Sequence, residues 1–562
     1  MKVAFLLLAF ACCIVTPSCT DSPAAPSVAI INTMNLKRGS VIYCGPPDGQ
    51  FGTVDFKMSC SKKVKEDFNL AVKLLHSFEY DEAEKVFARV IDAEPGCAMA
   101  YWGVAMSNFH ALWAPPTDAE LKKGAKAVEI AQSIEGKTTE ETGYINAIAA
   151  FYTNYTTVDH RTRCLNFEKA MEALYTKYPA DDEAAIFYSL ALNAAADPAD
   201  KTYQKQKKAG EVLNKLYAKE PNHPGIIHYI IHTFDSPELA ELSLTAARRY
   251  ASVAPSSAHA LHMPSHIFTR LGLWNECISS NMASVNSAQC YAQSAGIKGH
   301  WDEELHGLDY LVYAYLQKGE NDSAKRQCDY LAGITEVHPV NFKVAYAYAA
   351  MPARYALENK DWKAAANLPV QPGNLKWENF PWQQAIIRFA RLMGAVHTNA
   401  IATAREELTA MELLRNKLLE QKDAYKANQV AIQIKMGEAW IAFKSGKKDA
   451  AIAYMEEAAA MEDKTEKHSV TPGEVLPARE LLGDMYMEMN NPAFALEAYK
   501  ADLKKHPNRF NGLYGAALAS AKTGKPHDAV AYYDQLLSIS NVNHSTRPEL
   551  KAAHAYTSNV KL

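Results

Sequence analysis

The sequence predicts an all-α solenoid of about twelve helical hairpins, and three observations carry that prediction. At 562 residues the chain outgrows what one hydrophobic core serves, since single cores stop growing beyond about 250–300 residues. Apolar residues recur at helical spacing between Gly, Pro and Asn breakers along nearly the whole length. Strand signals are essentially absent, with at most a stray bridge expected in 28–60.

Near the C-terminus the pattern becomes a measurable repeat. LPARELLGDMYMEMNNPAFALEAYKADLKKHP is followed by NGLYGAALASAKTGKPHDAVAYYDQLL, and aligning Ala495 with Ala529 gives an offset of 34 residues. Gly483 then meets Ala517, Tyr499 meets Tyr533, and Pro507 falls where a second helix must stop. The same grammar recurs early, with Ala83, Phe87 and Pro95. These residues resemble the tetratricopeptide repeat, a helix-turn-helix unit of about 34 residues. Its small residues let the paired helices touch, and its apolar faces must be covered by neighbouring units. Hairpin starts are expected near 64, 98, 138, 181, 224, 258, 302, 341, 381, 424, 476 and 510. Two loops interrupt the pattern, 369–382 and the polar stretch 462–475. The second divides an array over 64–462 from a C-terminal pair of repeats over 476–562.

The ends of the chain speak to location. MKVAFLLLAFACCIVTPSC has one Lys, a short apolar run and small residues, which reads as an export signal over 1–19. Cys19 after Ser18 matches a lipidation site, whereas Thr16 and Pro17 depart from one. Two readings therefore stand: an outer-membrane-attached lipoprotein anchored at Cys19, or free secretion into a periplasm. Residues 20–63 form an extension in which Cys44 and Cys60 flank GPPDGQFG, and a Cys44–Cys60 disulfide is expected there. Cys97, Cys164, Cys277, Cys290 and Cys328 read as buried small hydrophobes. Net charge is −4 with no basic run, which argues against nucleic acid as a partner.

Candidate chemistry concentrates in one region. Eight of the eighteen histidines lie between 223 and 306. His228 and His232 are i, i+4; His259, His262 and His266 are i, i+3, i+7; His306, Asp309 and Tyr313 repeat that second spacing. Each set occupies one face of one helix. With repeat frames starting at 224, 258 and 305, His228, His262 and Asp309 share position 5, His232, His266 and Tyr313 share position 9, and His259 and His306 share position 2. In the tetratricopeptide family these positions line the concave groove where ligands bind, so the resemblance implies a His-lined groove. Stacked helices about 8–10 Å apart bring imidazoles to one point, and His228, His232, His259, His262, His266, His306 and Asp309 are the candidate ligands for zinc, copper or iron. Two alternatives stand beside it: a pH-sensitive or ligand-binding polar cluster, and a structural hydrogen-bonded network with Tyr229, Tyr313, Asp235 and Glu304.

Other candidates are weaker. His76 and His110 share one repeat position, 34 apart, near Trp102 and Trp113, and read first as exposed-turn histidines and second as lining the same groove further along, while Tyr101, Trp102, Trp113, Trp274 and Trp301 read as packing residues. Asp181, Asp182 and Glu183 follow Pro179 at a helix start, where carboxylates cap the helix. No GxSxG, phosphate-binding loop or dinucleotide glycine pattern occurs. CAMAYWGVAM, HPGIIHYIIHTFD, HALHMPSHIFTRLGLW and DYLVYAYLQ together look like a group of exported bacterial tetratricopeptide-repeat proteins, from about Phe51 onward. That group has no established activity. The resemblance implies a cell-envelope scaffold holding a protein, peptide or small ligand in its groove. The alternative is a metal-dependent enzyme with Glu303, Glu304 or Asp309 as the acid–base group.

Overall fold

The computed structural model describes residues 25–46, 49–112, 115–542 and 545–560; the export segment 1–19, Cys19 and Trp113 lie outside them. Among the described residues twelve helical pairs follow in chain order, each packed on the next. The first pairs Lys65–His76 with Tyr80–Ala93, and the twelfth pairs Phe510–Lys522 with Pro526–Ile539. A further helix, Pro548–Asn559, closes the array. Sequence gives reasons for each start. Thr117 and Thr138 form capping boxes with Glu120 and Glu141, and Asp181 accepts from the Glu183 and Ala184 amides.

Small residues set the helix separation. Ala83, Ala495 and Ala529 are fully buried. A Cβ on Gly103 would sit 2.2 Å from the Phe87 ring, and one on Gly515 would sit 2.4 Å from Tyr499. The aromatic of one helix thus lies where its neighbour has no side chain. Hydrophobic contacts form three successive clusters along the sequence, as expected of an array in which each hairpin is covered by its neighbours. Among the described residues no helix is long and apolar enough to cross a membrane. The strand pairing falls outside 28–60: His300–Trp301 runs parallel to Val337–His338, joining two hairpin ends.

The N-terminal extension is a strap rather than a self-closed loop. Its backbone bonds to several separate hairpins: Lys37 N to Glu84 at 2.8 Å, Thr53 N to the Asn222 carbonyl at 3.0 Å, and Ser59 N to Glu141 at 2.7 Å. This corrects the expected Cys44–Cys60 bridge. Because the strap runs along the array, its two cysteines meet different helices, giving Cys44–Cys290 and Cys60–Cys97. Cys97 and Cys290 are therefore not the inert hydrophobes the sequence suggested, while Cys164 and Cys277 are free and buried.

The stretch around 462–475 turns inward. Lys467, Val470 and Thr471 are buried, and Gly473 O accepts from Arg354 at 2.8 Å. The C-terminal hairpins then return to the middle of the chain. Trp274 Nε1 donates to Asn508 O at 2.8 Å, and Arg509 pairs with Glu358 at 2.7 Å and with Glu480 at 2.9 Å. His506 holds Asp502 at 2.8 Å through Nδ1 and Glu474 at 2.9 Å through Nε2.

Two outcomes follow from this packing. Ala495→Leu overpacks the helix contact at a cost of roughly 1–3 kcal/mol, read as a lower melting temperature; a neutral result would misplace the repeat frame there. His506 gives the pH dependence. Burial alone lowers its imidazole, but the Glu474 and Asp502 charges outweigh burial and raise it to about 9. Its contribution is complete below about pH 6.5, the unfolded value, and is lost as pH rises through about 9. The melting temperature of His506→Gln should accordingly change less between these pH values than that of the parent chain.

Candidate metal centre

Three first helices carry the imidazoles. Pro224–Thr233 starts at His223, whose Nδ1 caps the Ile226 amide, and presents His228 and His232. The next is interrupted at Met263 by Pro264, giving Ala258–His262 and Pro264–Leu271 with His259, His262 and His266. Asp302–Gln317 presents His306. The chain orders these imidazoles as two trios, His228/His232/His259 and His262/His266/His306, with one ligand nitrogen from each residue within 4.8 Å of the others in its trio.

In the first trio His228 Nε2 lies 3.0 Å from His232 Nε2 and 3.1 Å from His259 Nε2. His228 Nδ1 lies 2.6 Å from the carbonyl oxygen of His76. A carbonyl can only accept, so Nδ1 carries the proton and the neutral ring turns a bare Nε2 toward the other two rings. In the second trio His262 Nδ1 donates to Asn281 Oδ1 at 2.7 Å, while the Asn281 amide donates to Cys277 O at 2.8 Å and so fixes its own orientation. His266 Nδ1 donates to Asp235 Oδ2 at 3.0 Å. Both Nε2 atoms are then bare, and they face one another at 3.1 Å, with the Tyr310 hydroxyl 3.4 Å from His266 Nε2. Facing lone pairs repel, and a cation between them reverses the sign. Metal–imidazole bonds of about 2.0–2.1 Å require nitrogen–nitrogen edges of about 3.3–3.6 Å, a few tenths of an ångström of relaxation.

Electrostatics keep the rings in their ligating form. Burial pushes the His228 imidazole down to about 3. Burial also holds His232, His259, His262 and His306 well below the usual range, with neighbouring imidazoles adding to the effect. Asp235 is itself bound by Arg270 at 2.9 Å and approached by Lys467 at 3.4 Å. A carboxylate behind a ligating imidazole orients the ring and raises its basicity. Around the first trio, Phe78 stacks on His232 and His259 at 5.5 and 5.6 Å, and Tyr250 stacks on His228 at 5.2 Å. The His-lined groove is thus largely filled by the chain itself. His228, His262, His266 and His306 are buried, and residues 467–471 pack over this face.

Asp309 is not brought to the imidazoles; it pairs with Arg354, and Tyr313 turns to Arg509 at 3.2 Å. The reason is a frame shift. The third first helix begins at Asp302 rather than 305. His306 therefore matches His228 and His262, and Tyr310 matches His232 and His266. Of the acid–base candidates, Glu304 is engaged by His300 and Tyr330, whereas Glu303 pairs with Lys343 beside the second trio.

A third cluster joins His76, His223 and Glu183, a grouping the repeat frame did not give. His76 is fully buried rather than on an exposed turn, and with His223 it clasps Glu183 at 2.9 and 3.0 Å. Every ring nitrogen there has a partner, since His76 Nδ1 meets the Tyr229 hydroxyl at 3.0 Å and His223 Nδ1 caps its helix. This cluster is a closed hydrogen-bonded network that fixes the His76 carbonyl for His228. A Cβ on Gly225 would lie 2.4 Å from His76 Nδ1, so glycine there leaves room for the ring.

No protein-family model matches the chain, and no curated protein matches it. Among solved structures it is similar to the Cut9–Hcn1 hetero-tetramer of the APC/C, at 13% identity over 89% of this chain and 96% of that one, with a TM-score of 0.24. It is similar also to a human IFIT1 dimer with m7Gppp-AAAA, at 10% identity over 86% and 96% of the two chains, with a TM-score of 0.32. Scores this low carry no weight, and the tetratricopeptide-like fold rests on the helix pairing described above.

Proposed function

We propose that the chain is an exported metal-binding scaffold whose interior holds late first-row transition-metal ions in the trios His228/His232/His259 and His262/His266/His306. One observation supports this above others: Nε2 atoms converge while the Nδ1–H groups of His228, His262 and His266 point outward to fixed acceptors. That is the arrangement a metal site needs before the ion arrives, with the tautomer set and the ring oriented. Zinc, copper and iron all suit imidazole donors. A peptide in the His-lined groove is the weaker reading, because the chain's own 467–471 segment packs there. A partner protein would use another face of the array. The enzyme reading keeps one acid–base candidate, Glu303, on the wall of the cavity beside the imidazoles.

Export is supported by the leader-like N-terminus and by two disulfides, which persist in oxidising compartments. Replacing Cys19 with Ser should move the protein from the membrane to the soluble fraction; identical fractionation of mutant and parent would favour secretion without an anchor.

The metal reading is tested by elemental analysis of native protein and by thermal melts with and without a chelator. Metal at a hundred times its Kd adds about 2.7 kcal/mol of stability per site, so chelation should lower the melting temperature. The double variant His232→Gln, His266→Gln removes one ligand from each trio and should lose both the bound metal and the chelator effect at unchanged helical content. Protein that binds no zinc, copper or iron at neutral pH would overturn the proposal.

A further inference from the structure

The second trio brings three nitrogens together, and a zinc ion held by protein alone almost always has four ligands. A cavity of about 10 Å³ lies against this trio. It has room for one water-sized group, which is also the size of a carboxylate oxygen. His266 and His306 line that space, and so does Glu303. Glu303 and His306 are i, i+3 on the helix Asp302–Gln317, so both side chains leave one face of it. Resting on the metal reading above, we propose that Glu303 is the fourth ligand of the second trio and that with His262, His266 and His306 it makes a closed zinc site.

The partners of Glu303 leave it able to turn. It rests against Lys343, but that ammonium has a second carboxylate, Asp302, at 2.6 Å. Asp302 is fixed in turn by the Asn341 amide, which donates to it at 2.7 Å. Of the two carboxylates Glu303 is the less enclosed, keeping 19% of its side-chain surface against 4% for Asp302. Glu303 can therefore swing into the cavity while Asp302 and Lys343 go on neutralising each other. Two carboxylates on one ammonium leave a negative charge without a cation of its own beside the trio, and a bound ion supplies that cation.

The fourth donor also sorts the metals. Copper(I) is selected by soft sulfur donors, whereas zinc accepts carboxylate oxygen at about 2.0–2.2 Å and takes a tetrahedral set of four. The rival for the fourth position is Tyr310, whose hydroxyl lies 3.4 Å from His266 Nε2. Zinc draws its oxygen ligands from Asp and Glu, which favours Glu303 over a neutral phenol. At the first trio the neighbouring carboxylate, Glu79, accepts from the Ser257 hydroxyl at 2.6 Å and from the His259 amide, and so caps the helix that carries His259. The two sites then differ. The first keeps a position for water, and the second, with four protein ligands, is a holding site in which Glu303 is not free to act as a base.

The test uses the full chain, stripped of metal with a chelator and titrated with zinc, and with cobalt(II) as a coloured probe of the same sites. The parent should take two ions, one for each trio. Glu303→Gln should shift the visible bands of one cobalt and leave the other unchanged. It should also weaken one zinc by more than the roughly 10–100-fold that follows loss of a group merely hydrogen-bonded to a ligand. A crystal structure of the zinc-loaded parent should place a Glu303 oxygen about 2.0–2.2 Å from the ion, and that distance decides should the variant fail to fold. Parent affinity and spectrum in Glu303→Gln, with the loss falling on Tyr310→Phe instead, would overturn Glu303 as a ligand and leave the metal reading standing. So would a chain that binds copper but no zinc. A chain that binds none of zinc, copper or iron would overturn both.

Discussion

Each hairpin of this chain carries apolar residues on more than one side, so none can be satisfied alone, and the array continues until its ends are covered. Stacking for that reason places first helix beside first helix, and equivalent positions of successive repeats then face the same interior. The three sequential core clusters are the energetic trace of this constraint. Its side effect is a concave face that no neighbouring hairpin fills. Here the chain fills it itself, with the 467–471 segment turned inward and the C-terminal hairpins bonded to Glu358 and Asn508's partner Trp274. Polar groups in this interior have little water to turn to and must satisfy one another. Arg354 with Asp309, Arg509 with Glu358 and Glu480, and Asp235 with Arg270 do so. Buried pairs of this kind add little net stability, because desolvation offsets much of the attraction. What they do accomplish is to hold neighbouring helices in one relative placement.

Most of the fold was legible because hairpin stacking writes itself locally. Ala495, Ala529, Tyr499 and Tyr533 repeat at a fixed offset, and helix starts carry their own caps at Thr117, Thr138 and Asp181. Long-range choices left no such mark. The strap's cysteines pair with Cys97 and Cys290 because of where an extended segment crosses the array, which no spacing encodes. The histidine faces were legible from i, i+4 spacing, since that spacing is fixed by helix geometry alone. The division into two trios was not, because it depends on the break at Pro264 and on the exact start of the third helix. A repeat frame misplaced by three residues at that start put Asp309 where His306 stands.

The three histidine clusters show why residue type does not decide role. His76, His223 and Glu183 have the composition of a metal site, with ligand atoms as close together as in the other two. Yet Glu183 accepts from both rings, and the remaining ring nitrogens are engaged by Tyr229 and by the Ile226 amide. A metal entering there would have to break hydrogen bonds that already satisfy every nitrogen. In the trio of His262, His266 and His306 the balance is reversed. Asn281 and Asp235 take the Nδ1 protons outward, and two Nε2 lone pairs are left facing each other at 3.1 Å. The difference lies in the partners behind the rings. Where the second partner accepts the ring proton from outside, the inner nitrogen is freed for a cation; where a carboxylate stands between the rings, it takes the cation's place.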